Sequence, residues 1–323
     1  MSQAPLLGVE GLTAGFNTEQ GPVRVVEDVS FALEAGDMLG LVGESGCGKS
    51  VTAQTIMRLL PSPPARIDSG RILFEGEDLL ALPERRMRKV RGDRIGMIFQ
   101  EPMTSLNPTQ RIGRQIAEVL SLHRGMAYGE AKGLVIDVLK KAGIGNAERR
   151  LEQYPHELSG GLRQRVMIAM AIVCGPKLLI ADEPTTALDV TIQAQIMELL
   201  KSLQRDLGLA ILLITHDLGV VAEMCRGMVV MYAGRIVERG PTAEIFAAPR
   251  HPYTAGLIGS SPRHVKKGER LPSIAGLVPP PGQRGRGCSF AERCPRVQEK
   301  CRRDTPPLAS APGRAAACWN PVP

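Results

Sequence analysis

Three observations on this 323-residue chain predict an α/β fold carrying an inserted helical subdomain. A short apolar run at 37–43 passes into a glycine-rich loop and then into a helical pattern at 49–60. Two further apolar runs, 177–181 and 209–215, bracket a helical stretch at 190–207, the pattern of a βαβ unit whose parallel strands are buried on both faces. Between these regions, over 111–143, the period becomes that of amphipathic helices, with Ile112, Ile116, Val119 and Leu120 on one face.

Taken in order, residues 6–12 and 23–33 alternate well enough to form strands of a small antiparallel sheet. The helix at 49–60 stops at Pro61, which Ser62, Pro63 and Pro64 follow. Further strands are expected at 71–74 and 94–99, a second inserted helix at 129–142, and another from Gly160 to about Cys174. From Pro249 onward Pro, Gly and Arg dominate, notably at 278–282 and 284–287. So few large apolar residues cannot build an independent core, so this segment is either stapled by something else or disordered. The expected division is 1–248, with a helical subdomain at about 101–172, followed by an extension at 249–323.

Composition narrows the class. A hydrophobic content of 43% supports an ordinary core, and an aromatic content of 3% means that core rests on Leu, Ile, Val, Met and Ala. The first five residues have neither the basic nor the apolar part of a secretory leader, and no apolar run reaches membrane-spanning length. The expectation is a soluble, cytoplasmic chain. Charge is uneven: from Pro249 onward there are 13 Lys/Arg against 4 Asp/Glu, whereas the whole chain carries only +7. Such a tail suits nucleic acid, anionic lipid or an acidic partner, or is simply a solvated segment. Cys288, Cys294, Cys301 and Cys318 crowd the same region, and in a cytoplasmic protein such a cluster favours metal or redox chemistry over disulfides.

The chemistry begins at Gly43-Glu44-Ser45-Gly46-Cys47-Gly48-Lys49-Ser50, which fits G-x-x-x-x-G-K-[ST] between a strand and a helix. Glycines let backbone N–H groups turn inward around phosphate oxygens, and the helix N-terminus, opening through Val51, adds partial positive charge. Lys49 is expected to reach the β- and γ-phosphates of ATP, and the Ser50 hydroxyl to coordinate Mg²⁺. A second apolar strand ends in Asp182 and Glu183, where open α/β sheets bind ligands. Asp182 is placed to hold Mg²⁺ through water and Glu183 to polarise the attacking water. A helix N-cap is the alternative for that acidic pair, and the phosphate loop upstream weighs against it.

Leu158-Ser159-Gly160-Gly161-Leu162-Arg163-Gln164-Arg165 opens a further helix with bare amides, a second anion site. Here the sequence resembles the ATP-binding cassette (ABC) family, whose LSGGxxQR signature it reproduces. The resemblance covers about residues 6–248 and implies a P-loop NTPase cassette: a RecA-like core, an antiparallel β subdomain and an inserted helical subdomain. It implies that Ser159, Gly160 and Gly161 contact ATP held by a partner subunit. It also makes Gln100 the Q-loop residue at the Mg²⁺ site, Ala187-Leu188-Asp189 the D-loop, and His216 the γ-phosphate switch. Phe16 matches, by position, the aromatic that stacks on adenine.

The tail resembles that of dipeptide and oligopeptide importer ATPases. The residues that carry this are Gln100-Glu101-Pro102-Met103-Thr104-Ser105-Leu106-Asn107-Pro108, Tyr154-Pro155-His156-Glu157, His251-Pro252-Tyr253-Thr254-Ala255-Gly256 and Gly287-Cys288-Ser289-Phe290-Ala291-Glu292-Arg293-Cys294-Pro295. Leu271-Pro272-Ser273-Ile274 belongs to the same pattern. Nickel and glutathione importers share parts of it. The C-x5-C-x6-C-x16-C spacing is neither a common zinc pattern nor a familiar ferredoxin run, and four thiolates suit either Zn²⁺ or a [4Fe–4S] cluster. Arg286, Arg293, Arg296, Lys300, Arg302 and Arg303 are expected to offset that negative charge. The resemblance favours iron–sulfur over zinc. It further implies a second ABC ATPase subunit, a paralogue in preference to an identical chain, with two transmembrane permease subunits and an extracytoplasmic peptide-binding protein. The chain would then sit at the cytoplasmic face of the membrane. A nucleic-acid-associated ABC ATPase is the rival reading. Against it, the insertion is too modest for a long coiled coil, the chain has one cassette rather than two, and no nucleic acid is expected.

Overall fold

The structure, a computed structural model, describes residues 4–100, 105–186, 188–260, 272–311 and 313–323. Among them the strands run in chain order as β1 (Leu7–Thr18), β2 (Gly21–Leu33), β3 (Met38–Val42), β4 (Ala65–Phe74), β5 (Glu77–Asp78), β6 (Ile95–Ile98), β7 (Leu178–Asp182), β8 (Ala210–Thr215), β9 (Gly227–Tyr232), β10 (Arg235–Pro241), β11 (Ala309–Ala311) and β12 (Arg314–Ala316). The chain divides into two compact units, one of residues 1–34, 38–80 and 213–323, the other of residues 35–37 and 81–212.

The first unit holds the predicted antiparallel sheet, in the order β2-β1-β4-β5. In β2 the alternation is realised, with Val29, Phe31 and Leu33 buried and Asp28 and Ala32 exposed. Strand β4 starts at Ala65, six residues before the apolar run at 71–74, because its polar half pairs with β1 as far as Phe16. That half is exposed and so leaves no hydrophobic period. The same unit contains the strand order β11-β12-β10-β9-β3, with β3 and β9 parallel and the other pairs antiparallel. Strand β3 is buried throughout. The helix after the glycine-rich loop spans Lys49–Ile56 rather than 49–60, since Arg58 turns into the left-handed region at φ 50° and ends it.

The second unit pairs β6 with β7 in parallel and carries the expected helices Ile112–Arg124, Tyr128–Lys141 and Gly160–Ile172. Ile112, Ile116 and Leu120 are buried as the period predicts, and Gln115 is buried beside them. Its Nε2 donates to the Asn107 and Gln110 carbonyls, so the amide caps the preceding loop. Strand β8 begins in this unit and ends in the first. Short helices at Glu84–Val90, Leu218–Met224, Thr242–Ala247 and Pro252–Gly259 were not legible in the sequence, being too brief to show a 3.6-residue period.

The C-terminal extension borrows the core of the first unit instead of building one. Phe290 and Tyr253, both almost wholly buried, pack on Tyr232 of β9, with ring centroids 5.2 and 4.6 Å away. Strand β12 adds to the sheet at β10 through Glu238↔Ala316 and Arg239↔Ala315. Glu238 is fully buried and accepts from the backbone N–H groups of Arg250 and His251 and, at 2.6 Å, from Arg314 Nη2. Several tail cations are thus engaged within the fold: Arg314 on Glu238, Arg303 on Glu299, and Lys300 over the Trp319 ring.

A buried pair that loses one partner leaves an uncompensated charge, so Arg314→Ala is expected to cost about 3–5 kcal/mol in a denaturant melt. Glu238→Gln, which keeps an acceptor for the two N–H groups, should cost less. His251 is also buried, and desolvation pushes its imidazole down to about 3 while Nδ1 accepts the Tyr253 N–H. The unfolded chain binds this proton below its ordinary value of 6.5, whereas the folded chain holds out to about 3. This contribution to stability is therefore complete above pH 6.5 and declines as pH falls toward 3. His251→Asn should flatten that part of a stability–pH curve.

Candidate functional site

In the first unit the phosphate loop follows directly from β3. Gly43 has φ 153°, and a Cβ there would stand 2.2 Å from the Met231 carbonyl oxygen and 2.8 Å from Cys47 Sγ. No side chain fits. Gly48 caps the Lys49–Ile56 helix at φ 105° without offering a side-chain acceptor, which leaves the first-turn N–H groups to an anion. Lys49 is buried and curls back, its Nζ donating to the Gly43 carbonyl at 2.8 Å and the Glu44 carbonyl at 3.2 Å. The ammonium thereby closes the loop into a ring. Ser45 and Gly46 are exposed on the rim, Ser50 and Val51 are half-buried, and Cys47 lies beneath with its thiol pushed up by burial.

Glu44 is held in a way the sequence reading missed. Its backbone N–H donates to Tyr253 Oη at 2.9 Å, and Arg293 clasps its carboxylate through Nη1 at 2.8 Å and Nη2 at 3.1 Å. The other expected residues of this unit are spread more widely. Phe16 is half-buried in β1, paired with Val23 of β2 and Ala65 of β4. His216 is exposed just past the end of β8, and next to it Asp217 caps the Leu218–Met224 helix through the N–H groups of Gly219 and Val220.

In the second unit β7 is buried along its whole length and delivers Asp182, 3% exposed, and Glu183 at its C-terminal end. Glu183 sits at φ 46°, a conformation rare for a residue with a Cβ and met at functional turns. Its Oε2 accepts from Gln100 Nε2 at 3.2 Å and Thr186 Oγ1 at 2.9 Å, so this unit does bring the expected Q-loop glutamine onto the expected base. The cap of the Val190–Leu207 helix is Asp189, whose Oδ1 accepts from Ile192 N at 3.0 Å. Ser159 likewise caps the Gly160–Ile172 helix, accepting from Leu162 N at 3.4 Å. A Cβ on Gly161 would lie 2.8 Å from Ile192 Cγ2, so the signature amides stay bare and the D-loop helix packs against them. Ala187 of the D-loop motif, and residues 101–104 and 271 of the tail-branch motifs, lie outside the described residues.

The tail cysteines are gathered but not closed into a ligand set. Cys288, Cys294, Cys301 and Cys318 all line one pocket of about 10 Å³, barely the space of one water. Among the described residues no group of three or more His, Cys, Asp or Glu is disposed to hold a metal ion. Burial foremost, with mutual repulsion behind it, raises the Cys288 thiol to about 11 and lifts those of Cys294 and Cys318. The cations expected to offset a cluster's charge are largely committed elsewhere: Arg293 to Glu44, Lys300 to Trp319, and Arg296 to Asn320, although Arg296 also acts weakly on two of the thiols.

The chain matches the family model for the ABC transporter over residues 26–186 and that for the oligopeptide/dipeptide transporter C-terminal region over 237–301. A protein of Sinorhizobium fredii described as a peptide ABC transporter ATP-binding protein is 54% identical over 98% of this chain and 95% of its own length. One from Brucella ovis, described as a peptide import ATP-binding protein, is 52% identical over 96% and 95%. Among solved structures, a dimeric bacterial ABC transporter cassette superposes with TM-score 0.65 at 26% identity, covering 73% of this chain and 98% of that one. The cbiO1 protein of Clostridium perfringens does so with TM-score 0.64 at 30% identity, covering 76% and 92%. With a closed phosphate loop, a capped signature helix and the acidic strand end all in place, the chain belongs to the ABC transporter family, in its oligopeptide/dipeptide branch.

Proposed function

We propose that this chain is the ATPase subunit that powers import of dipeptides or oligopeptides, its hydrolysis driving a cassette dimer that moves membrane permease subunits. The single observation carrying the peptide assignment is the match of residues 237–301 to the oligopeptide/dipeptide transporter C-terminal region, on a chain that also holds the cassette motifs. The cassette is read as residues 1–248, with its helical subdomain at about 101–172 and the extension at 249–323.

The residues divide the chemistry as follows. The loop 43–51 and the Lys49 ammonium hold the phosphates, the Glu44 N–H being committed to Tyr253, and Phe16 stacks on adenine. Mg²⁺ would be held by Ser50, Asp182 and Gln100, donors of hydroxyl, carboxylate and amide type that suit it, and would supply charge neutralisation at the phosphate oxygens. Glu183, steadied by Gln100 and Thr186, takes the proton of the attacking water, and His216 contacts the γ-phosphate. Ser159, Gly160 and Gly161 act on nucleotide held by the partner subunit, with Asp189 at the seam. That arrangement requires a second ATPase subunit, read as a paralogue, two permease subunits and an extracytoplasmic peptide-binding protein. The chain is read as peripheral, on the cytoplasmic face of the membrane that holds the permease; among the described residues no helix is long and apolar enough to cross a membrane.

The convergence of four thiols on one pocket supports a metal centre in the extension, and the resemblance to the importer branch favours [4Fe–4S] over zinc there. Their spacing is not that of a closed ligand set, so loading would require the pocket to open.

Glu183→Gln should retain ATP binding, lower hydrolysis by about a hundredfold or more, and accumulate a closed dimer by light scattering. Normal turnover in that variant would refute its assigned role. Anaerobic purification followed by iron, sulfide and zinc analysis tests the extension, with about four irons and four sulfides per chain expected. A preparation free of all three elements sinks the metal reading.

A further inference from the structure

The contact between the extension and the phosphate loop is more than a docking point. Glu44 is the second residue of the loop, and each of its polar groups is fixed. Its carbonyl accepts from Lys49, its N–H donates to Tyr253, and its carboxylate is clasped by Arg293. Two of those three anchors come from the C-terminal extension.

The Arg293 site is built for this task. Its side chain is only 6% exposed, against 28% for Glu44. Nε donates to the Ala275 carbonyl at 2.8 Å, Nη2 also reaches the Ile274 carbonyl at 3.2 Å, and Nη1 reaches Tyr232 Oη at 3.3 Å. The guanidinium carbon lies 5.7 Å from the Tyr232 ring centroid and 5.9 Å from that of Phe290. A lysine could not reproduce the two-pronged clasp. Tyr253 is fully buried against the same rings. The cradle is therefore rigid, whereas the loop it holds contains three glycines at positive φ and loses much conformational freedom when it orders.

The second consequence is electrostatic. A phosphate loop exists to receive a polyanion, and a free carboxylate at its second residue would repel one. Arg293 cancels that charge from a site with little access to water, where the effect is least screened.

We propose that Arg293 and Tyr253 of the C-terminal extension are positioning residues for the phosphate loop, fixing Glu44 and neutralising it so that the loop accepts the triphosphate of ATP. This rests on the reading that residues 43–51 bind ATP. The extension then belongs to the ATPase machinery even though it lies outside the cassette motifs.

The test is a double-mutant cycle on the full chain, titrated with a fluorescent trinitrophenyl ATP analogue and Mg²⁺. Arg293→Met keeps the apolar stem against Tyr232 and Phe290 and removes the charge. It should weaken binding about tenfold when Glu44 is present and less than about twofold in a Glu44→Gln background. Arg293→Lys, which keeps the charge but loses the two-pronged clasp, should weaken binding by about threefold when Glu44 is present, and Tyr253→Phe should weaken binding independently by about threefold, through the unpaired Glu44 N–H. Unchanged affinity in Arg293→Met overturns the proposal, as does an equal loss in both backgrounds, which would mean that the extension had merely come loose. If Arg293→Met does not fold, Arg293→Lys read in both backgrounds carries the same comparison: a loss confined to the Glu44 background supports the proposal, and no loss or an equal one overturns it. A parent chain that fails to bind the analogue sinks the underlying nucleotide reading instead.

Discussion

The carbonyl oxygen of Met231 stands 2.2 Å from where a side chain at position 43 would begin, and much of the first unit follows from that contact. With no Cβ in the way, β3 and β9 lie side by side in parallel pairing, and the loop leaves β3 directly beside β9. The turn then brings Lys49 back under its own loop, where its ammonium binds the carbonyls of Gly43 and Glu44. The buried ammonium thereby ties off two carbonyls of the loop. Gly48 continues the same logic, since a side chain there would press on Val26 and on the Val25 carbonyl.

Close approach also explains the signature region of the second unit. Gly161 is bare because Ile192 occupies the adjacent space, so the helix capped by Ser159 and the helix capped by Asp189 start side by side. Both caps satisfy their own helices and leave neighbouring amides exposed. Glu183, bent into an unfavourable backbone conformation, is kept there by Gln100 and Thr186. That strain falls at the end of β7, on the residue proposed as the catalytic base.

The extension solves a different problem. Its composition is too poor in large apolar groups for a core, so it spends Phe290 and Tyr253 on a ring cluster with Tyr232 and lays β12 beside β10. Buried polar contacts complete the attachment, Arg314 on Glu238 and Arg293 on Glu44. Its basic excess, which from charge alone suited nucleic acid or anionic lipid, is therefore partly an internal resource.

The cassette was legible in the residue order because its signals are local. Residues 43–50 and 158–165 carry their meaning in the spacing of a few neighbours, and the runs at 177–181 and 209–215 announce buried parallel strands by composition. The ends of β4 and of the Lys49–Ile56 helix were less legible, since pairing and one left-handed residue decide them. Where the extension docks is legible in the folded chain alone. Arg293 and Glu44 are 249 residues apart, and no period or motif records that two distant charges will meet. The folded chain also shows the four thiols lining a single small pocket and Asp189 serving as a helix cap. Such pairings depend on which surfaces the folded sheet brings together, and that information is held in space, not in the order of residues along the chain.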